Sequence, residues 1–335
     1  MQHDLRLAAV GTGGIWNTHA KNLQILGDNR VIAVCDLSQE NRERAAAQLG
    51  AQPYADLGEL LEREDVDALI CCTPPIARRS VVEAAAARKV PVFVEKPPAS
   101  SLDDARAIAR ISAQSGTPVV VGFMYRFLPA VDRLKELVAG RPVNLVQSSF
   151  FCPAATEWAL PSWFYIKERS GGHVLDQAIH VVDLLRFLAG DITQVHTFGN
   201  NVLKPQTPKF TIEDSSSTNL RFASGASGGH VHSWAHSEFT GFVTLIGLDY
   251  RLTLHLDSRV SGFIGDRSID EISPAPPEGA SHHLEEMRAF LACVRSGDFS
   301  TARSPFSDAA KSLATVLAMN ESIETDEPTN VQLDF

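Results

Sequence analysis

The 335-residue sequence predicts an α/β protein: a doubly wound parallel sheet in its first third, followed by an α+β half on an open, mostly antiparallel sheet. Three observations predict it. Short apolar runs alternate with helical patterns up to residue 122, a glycine-rich turn joins the first run to the first helix, and alternating strands dominate from residue 143.

The run 5–10 (LRLAAV) suits a buried strand, and 14–26 spaces Ile15, Ala20, Leu23 and Ile25 for a helix packed on it, with Gly27 as its stop. Gly11-Thr12-Gly13-Gly14 links the two. A glycine turn lets the backbone approach a pyrophosphate, whose charge is favoured by the free N–H groups and positive dipole end of the following helix. That is the dinucleotide-binding turn of a Rossmann fold. One position departs from it: Trp16 stands where G-x-G-x-x-G has its last glycine, so close packing of helix on strand must be achieved differently there.

A second strand, 31–35, ends in Asp36, placed to accept from ribose hydroxyls and to repel a 2′-phosphate, which favours NAD over NADP. Asp36 also serves simply to open the turn before a helix at 39–49, and Arg42 and Arg44 on that helix keep NADP open. Strands at 66–73, 91–95 and 119–122 alternate with helices at 80–89 and 102–115. Right-handed crossovers make such a sheet parallel and bring its carboxyl ends to one crevice. Thr73-Pro74-Pro75 and Glu95-Lys96-Pro97-Pro98 fall at those ends, with Lys96-Pro97 a candidate cis peptide.

The pattern places a dinucleotide-binding domain at 1–122 and a substrate-binding and oligomerisation domain at 123–335. In the second, a helix to Val138 precedes strands at 143–152, 193–199, 217–222, 228–234, 240–248 and 250–256, with one strong helix at 172–188 between them. Amphipathic helices at 281–295 and from Ser304-Pro305 to about Ile323 close the chain. A strand-rich half leaves one sheet face seeking cover, hence an expected homodimer or homotetramer through that sheet.

The formal net charge of −10 and the lack of a basic stretch argue against nucleic acid or an anionic membrane as partner. No run approaches the length of a bilayer span, and a strand starting at Leu5 leaves no room for a signal peptide. Five unpatterned cysteines (35, 71, 72, 152, 293) read as buried thiols of a reducing compartment, so a cytoplasmic protein is expected.

Along 172–188, Asp176, His180 and Asp183 share a face by three-to-four spacing, opposite Val174, Ala178, Val181 and Leu185. A carboxylate and an imidazole on one stripe suit a proton acceptor and its orienter beside a substrate hydroxyl, although a solvent-facing pair fits the spacing equally well. His230, His232 and His236 lack a cysteine or carboxylate to complete a metal site, so no metal is expected and they read as pocket or subunit-contact residues. Tyr125, Arg126, Trp163, Tyr165 and Lys167 are candidates for binding a polyol, Arg126 foremost, while Trp158/Trp163 and Phe150/Phe151 read as core or interface pairs.

The stretches GTGGIW (11–16), CDLS (35–38), TPP (73–75), EKPP (95–98), GFMYRF (122–127) and SGGHVLDQAIHVVD (170–183) resemble the Gfo/Idh/MocA oxidoreductases over nearly the whole chain. The resemblance implies a Rossmann domain, a C-terminal α/β domain that often mediates assembly, and hydride exchange with a secondary alcohol or ketone of a sugar or cyclitol. It implies a catalytic set of Lys96, Asp176 and His180. It also implies cofactor contacts at Gly11, Gly13, Gly14, Asp36, Thr73, Pro74 and Glu95, with Ile15, Trp16 and Lys96 beside them. Ala178 departs from the family's usual glycine between the aspartate and the histidine. In this reading His180 takes the hydroxyl proton, Lys96 stabilises the developing alkoxide, and Asp176 orients substrate or imidazole. Two rivals stay open: an NAD-dependent hydrolase or lyase that oxidises its substrate only transiently, and a ligand-sensing protein without turnover.

Overall fold

A computed structural model describes residues 4–156 and 160–335, so Trp158 lies outside the described residues. The chain divides into two compact units, one of residues 1–124, 276–310 and 335, the other of 125–275 and 311–334.

In the first unit, β1 (Leu5–Val10), α1 (Gly14–Leu26), β2 (Asn29–Cys35), α2 (Gln39–Leu49), β3 (Gln52–Tyr54), α3 (Leu57–Arg63), β4 (Ala68–Cys71), α4 (Arg78–Arg88), β5 (Val92–Glu95), α5 (Leu102–Ser115) and β6 (Val119–Gly122) follow one another. The six strands lie in the order β3-β2-β1-β4-β5-β6, and every pairing is parallel. The order reverses between β1 and β4, which is where an open α/β sheet leaves its crevice. Local signals explain the helix limits. Ser38 caps α2 by accepting from the Asn41 N–H, Ser101 caps α5 by accepting from the Asp104 N–H, and Gly50 and Gly116 end them in left-handed turns. The sequence reading passed over β3 and α3, of 3 and 7 residues, too short to establish a period.

In the second unit come α6 (Pro129–Val138), β7 (Leu145–Phe151), the short α7 (Lys167–Ser170), α8 (Ile179–Ala189), β8 (Ile192–Asn200), β9 (Ser215–Phe222), β10 (Ser227–Ser233), β11 (Thr240–Ile246), β12 (Tyr250–His255), β13 (Arg259–Ile264) and β14 (Arg267–Ile272). The chain closes with α9 (Leu284–Ser296), α10 (Phe306–Thr325) and β15 (Thr329–Asn330). The nine-stranded sheet runs β14-β13-β12-β11-β7-β10-β9-β8-β15, antiparallel except between β7 and β10. Three of these strands, β13, β14 and β15, were not foreseen, because their charged and glycine-containing sequences alternate weakly.

Residues 276–310 lie in the first unit, whereas the sequence reading placed all of 123–335 in the second. The reason is α9, whose Met287, Phe290 and Leu291 join one buried cluster with Leu7, Trp16, Leu23, Val31 and Phe93. Amphipathic spacing shows that a helix packs but not on what. Trp16, only 1% exposed, fills the space between α1, the sheet and α9, which is how this chain manages without the third glycine.

The second unit buries charge. On α8, expected to show one polar and one apolar face, His180, Asp183 and Arg186 are all buried. Asp183 receives Arg126 through two bonds, Nε to Oδ2 at 2.7 Å and Nη2 to Oδ1 at 2.5 Å, and its Oδ1 also accepts from Ser312 Oγ at 2.7 Å. Removing one partner of such a pair strands the other charge in the core. Asp183→Ala should therefore cost about 3–5 kcal/mol of stability, read as a lowered midpoint in urea denaturation.

Candidate functional site

In the first unit the cofactor-type residues gather at the carboxyl ends of β1, β2, β4 and β5. Gly11 has φ 82°, and a Cβ there would lie 2.8 Å from the Thr73 N and 2.9 Å from the Cys72 carbonyl carbon, so only glycine lets these two strand ends close. Gly13 and Gly14 border open space, with nothing within 4 Å of a Cβ built on either. Gly13 precedes α1 without a side-chain cap, which leaves N–H groups at the head of a 13-residue helix for an anion. The cradle fits a dinucleotide pyrophosphate.

Asp36 Oδ2 accepts from the Thr12 N–H at 2.6 Å and Thr12 Oγ1 at 3.1 Å, and Oδ1 accepts from the Ser38 N–H at 2.8 Å. A carboxylate has about four lone-pair directions, so ribose hydroxyls still find acceptors. Arg42 and Arg44, kept open for a 2′-phosphate, donate to the carbonyls of Asp36 and Leu37 and of Thr12. Ile15 is partly exposed at the head of α1, whereas the Trp16 side chain is sealed in the core, so of that residue only backbone remains for cofactor contact.

The turns after β4 and β5 are tied together by a residue the sequence reading missed. Buried Arg78 donates to the Thr73 carbonyl through Nε (3.1 Å) and Nη2 (3.0 Å), and Nη2 also reaches the Lys96 carbonyl at 3.2 Å. Thr73 and Lys96 thus share a guanidinium brace, and the Lys96-Pro97 peptide is cis as the sequence suggested. The Glu95 side chain turns inward: Oε1 lies 2.5 Å from His19 Nε2 and Oε2 accepts from the Lys96 backbone N–H at 2.9 Å. Burial would raise its pKa, but the His19 hydrogen bond and the charges of His19, His283 and Lys96 hold it below the usual carboxylate range.

His19 and buried Glu286 complete that cluster, their donor atoms and those of Glu95 all within 4.8 Å of one another. A 2.5 Å contact between His19 and Glu95 is a hydrogen-bond distance, so the group is a charge network and not a cation cage. Burial first and the Glu95 charge second push the Glu286 carboxyl well above its ordinary range, and neither of its oxygens has a hydrogen-bond partner among the described residues.

In the second unit, a single π-turn over Val174–Ala178 carries half-buried Asp176 and leads into α8 with His180. The Tyr125 ring meets the His180 ring edge-on at 5.5 Å, and burial pushes the Tyr125 phenol upward. Arg126 is 1% exposed and held by Asp183, so this geometry does not carry the expectation that it reaches substrate. Trp163 is partly exposed and stacks on Phe164 at 3.9 Å. Tyr165 donates to the Ala154 carbonyl at 3.0 Å, and Lys167 pairs with Glu213 at 2.8 Å.

His230 and His232, read as pocket or interface residues, are instead buried beside His173, whose ring stacks on that of His232 at 5.1 Å. Burial lowers His173 and His230 to about 3 and holds His232 well below its ordinary value, so all three are neutral imidazoles. His236 accepts from the Glu238 N–H at 3.1 Å, outside that group.

Comparison with known proteins agrees with this geometry. A model of the oxidoreductase family with an NAD-binding Rossmann fold matches residues 5–123, and the GFO/IDH/MocA C-terminal domain matches 131–255. The chain belongs to the Gfo/Idh/MocA family. It is an NAD-dependent oxidoreductase. A scyllo-inositol 2-dehydrogenase (NAD(+)) of Bacillus subtilis is 29% identical, covering 89% of this chain and 88% of that protein. A myo-inositol 2-dehydrogenase of Thermotoga maritima is 30% identical, covering 67% of each. A levoglucosan dehydrogenase solved with NADH shares the fold at TM-score 0.86 and 18% identity, covering 99% of this chain and 100% of that one. Among the described residues no helix is long and apolar enough to cross a membrane.

The buried acid of this Gfo/Idh/MocA member has a consequence for stability. A carboxyl raised in the folded chain contributes fully below the unfolded pKa, about 4.3, and that contribution is lost as pH rises toward the folded value. Glutamine does not titrate. Glu286→Gln should gain Tm relative to the parent as pH rises from about 4 to about 8, read by calorimetry, and an equal difference at both ends would contradict the raised pKa.

Proposed function

We propose that the protein is a dehydrogenase of a secondary alcohol on a sugar or cyclitol, with Lys96, Asp176 and His180 as its catalytic residues. The observation that carries the reading is the conjunction of an open, uncapped glycine cradle with a lysine held by its own backbone at the neighbouring strand end. The inositol dehydrogenases among its relatives supply the substrate class.

Gly11, Gly13, Gly14 and the head of α1 would receive the pyrophosphate, with Asp36 taking ribose hydroxyls and Ile15, Thr73, Pro74 and the turn at Glu95 and Lys96 bordering the remainder. NAD bound there supplies the hydride acceptor. His180 takes the hydroxyl proton, and the Tyr125 ring against it limits its tilt. The Lys96 ammonium stabilises charge developing on the same oxygen, and Asp176 orients the substrate. Trp163 offers aromatic surface for a polyol ring to pack on, whereas Tyr125, 3% exposed, packs its ring against His180 in the interior.

Assembly through the second unit's sheet fits its uncovered face, where Val231 and Phe198 are 39% and 50% exposed and pair across the strands with the same residue, Ser217. Five free cysteines suit a reducing, cytoplasmic setting without nucleic-acid or membrane partners. One relative favours a second reading. A 2,7-anhydro-N-acetylneuraminate hydratase of Mediterraneibacter gnavus is 32% identical over 62% of this chain, and its reaction is named as a hydration. A transient oxidation would need the same residues but would leave the cofactor unchanged at the end of each turnover.

The test is NADH absorbance with saturating NAD across inositols, aldoses and anhydrosugars. Stoichiometric NADH with one class, falling by about 10²–10⁴ in Lys96→Ala and His180→Ala, is the expected result. Product without net NADH would transfer the assignment to the redox-cycling reading, and full turnover in either variant would overturn the catalytic roles.

A further inference from the structure

The first unit spends a buried charge next to Lys96, and the arrangement gives that charge a purpose. The carboxylate of Glu95 lies at the end of β5, is 3% exposed, and grips the backbone N–H of the next residue, Lys96. An ionised carboxylate sealed from water needs a partner, and among the described residues His19 bonds its other oxygen. The remaining groups around it do not substitute. Glu286 on α9 is an acid kept protonated, the nearby His283 imidazole is lowered to about 4 by burial, and the Cys72 thiol after β4 is raised by burial and by the Glu95 charge. Besides His19, the charges of His283 and Lys96 act on it and help hold it ionised. His19 itself is immobilised, its ring edge-on to Phe93 at 5.4 Å and to His283 at 5.5 Å.

We infer that His19 is a positioning residue for Lys96. By donating to Glu95 it aims the second carboxylate oxygen at the Lys96 N–H and so fixes the place from which the lysine side chain leaves the strand. The inference deepens the proposed function and rests on Lys96 being the group that meets the substrate oxygen. Its physical content stands apart from turnover: the Lys96 N–H is held by a bond that depends on how Glu95 is oriented.

The exchange of the Lys96 amide tests this without any substrate. Hydrogen–deuterium exchange is followed by mass spectrometry on peptides spanning 92–98, where Pro97 and Pro98 add no amide signal. His19→Phe keeps a ring against Phe93 and His283 but removes the donor. Its Lys96 amide should exchange about tenfold faster than the parent's or more, and His19→Gln, which restores an N–H donor, should recover most of the protection. Should His19→Phe fail to fold, His19→Asn makes the same comparison, since its shorter amide cannot reach Glu95.

With the substrate found in the panel above, kcat of His19→Phe should fall on the order of 10- to 100-fold while NADH binding, read by fluorescence, and KM stay put. His19→Gln should recover kcat. Parent-like protection of the Lys96 amide in His19→Phe overturns the inference and leaves the dehydrogenase reading standing. Full turnover in Lys96→Ala overturns that reading and leaves the exchange result to decide this one.

Discussion

One constraint organises the first unit: right-handed crossovers bring every strand of its parallel sheet to the same carboxyl edge. Residues that are distant in sequence, Gly11, Asp36, Thr73 and Lys96, become neighbours through that rule before any side chain is chosen. The side chains then hold the edge in register. Thr12 bonds Asp36 across the ends of β1 and β2, Arg78 joins the turns after β4 and β5, and glycine at position 11 admits the approach of β1 to β4. Each tie runs through backbone atoms, so it fixes the course of the chain at the edge itself.

The second unit solves a different problem. Its central helix presents ionic groups to the interior, and they are kept there by pairing: Arg126 and Ser312 on Asp183, and Arg186 with Asp191 and Ser312. Beneath the same helix lie neutral histidines, which pack as flat polar rings on Phe150 and Trp234 instead of carrying charge. A side chain on such a helix is held by rigid surroundings, at the cost of desolvating several ions.

Much of the first unit was legible in the sequence because its signals are local. The bounds of α1, α2, α5, β1 and β6 follow from glycine stops, serine caps and apolar runs, and the structure reproduces them residue for residue. What could not be read were relations between distant residues. Asp183 and Arg126 looked like a polar stripe and a ligand-binding arginine because mutual burial leaves no mark in spacing. Trp16 looked like a defect in a glycine fingerprint because the helix that needs it, α9, is some 270 positions away. His19 and Glu286 belong to the same class: each sits on an amphipathic helix as an unremarkable polar residue, and only the fold shows both facing Glu95.

The return of 276–310 to the first unit also bears on biosynthesis. When residue 124 has left the ribosome, the parallel sheet is complete, yet Trp16, Phe93 and Leu23 still lack Met287, Phe290 and Leu291 of their cluster. The nascent chain must carry that bare apolar surface through the synthesis of the whole nine-stranded sheet before α9 emerges to cover it. At about 5–20 residues per second that interval lasts many seconds, long enough for a chaperone to be the first partner this surface meets.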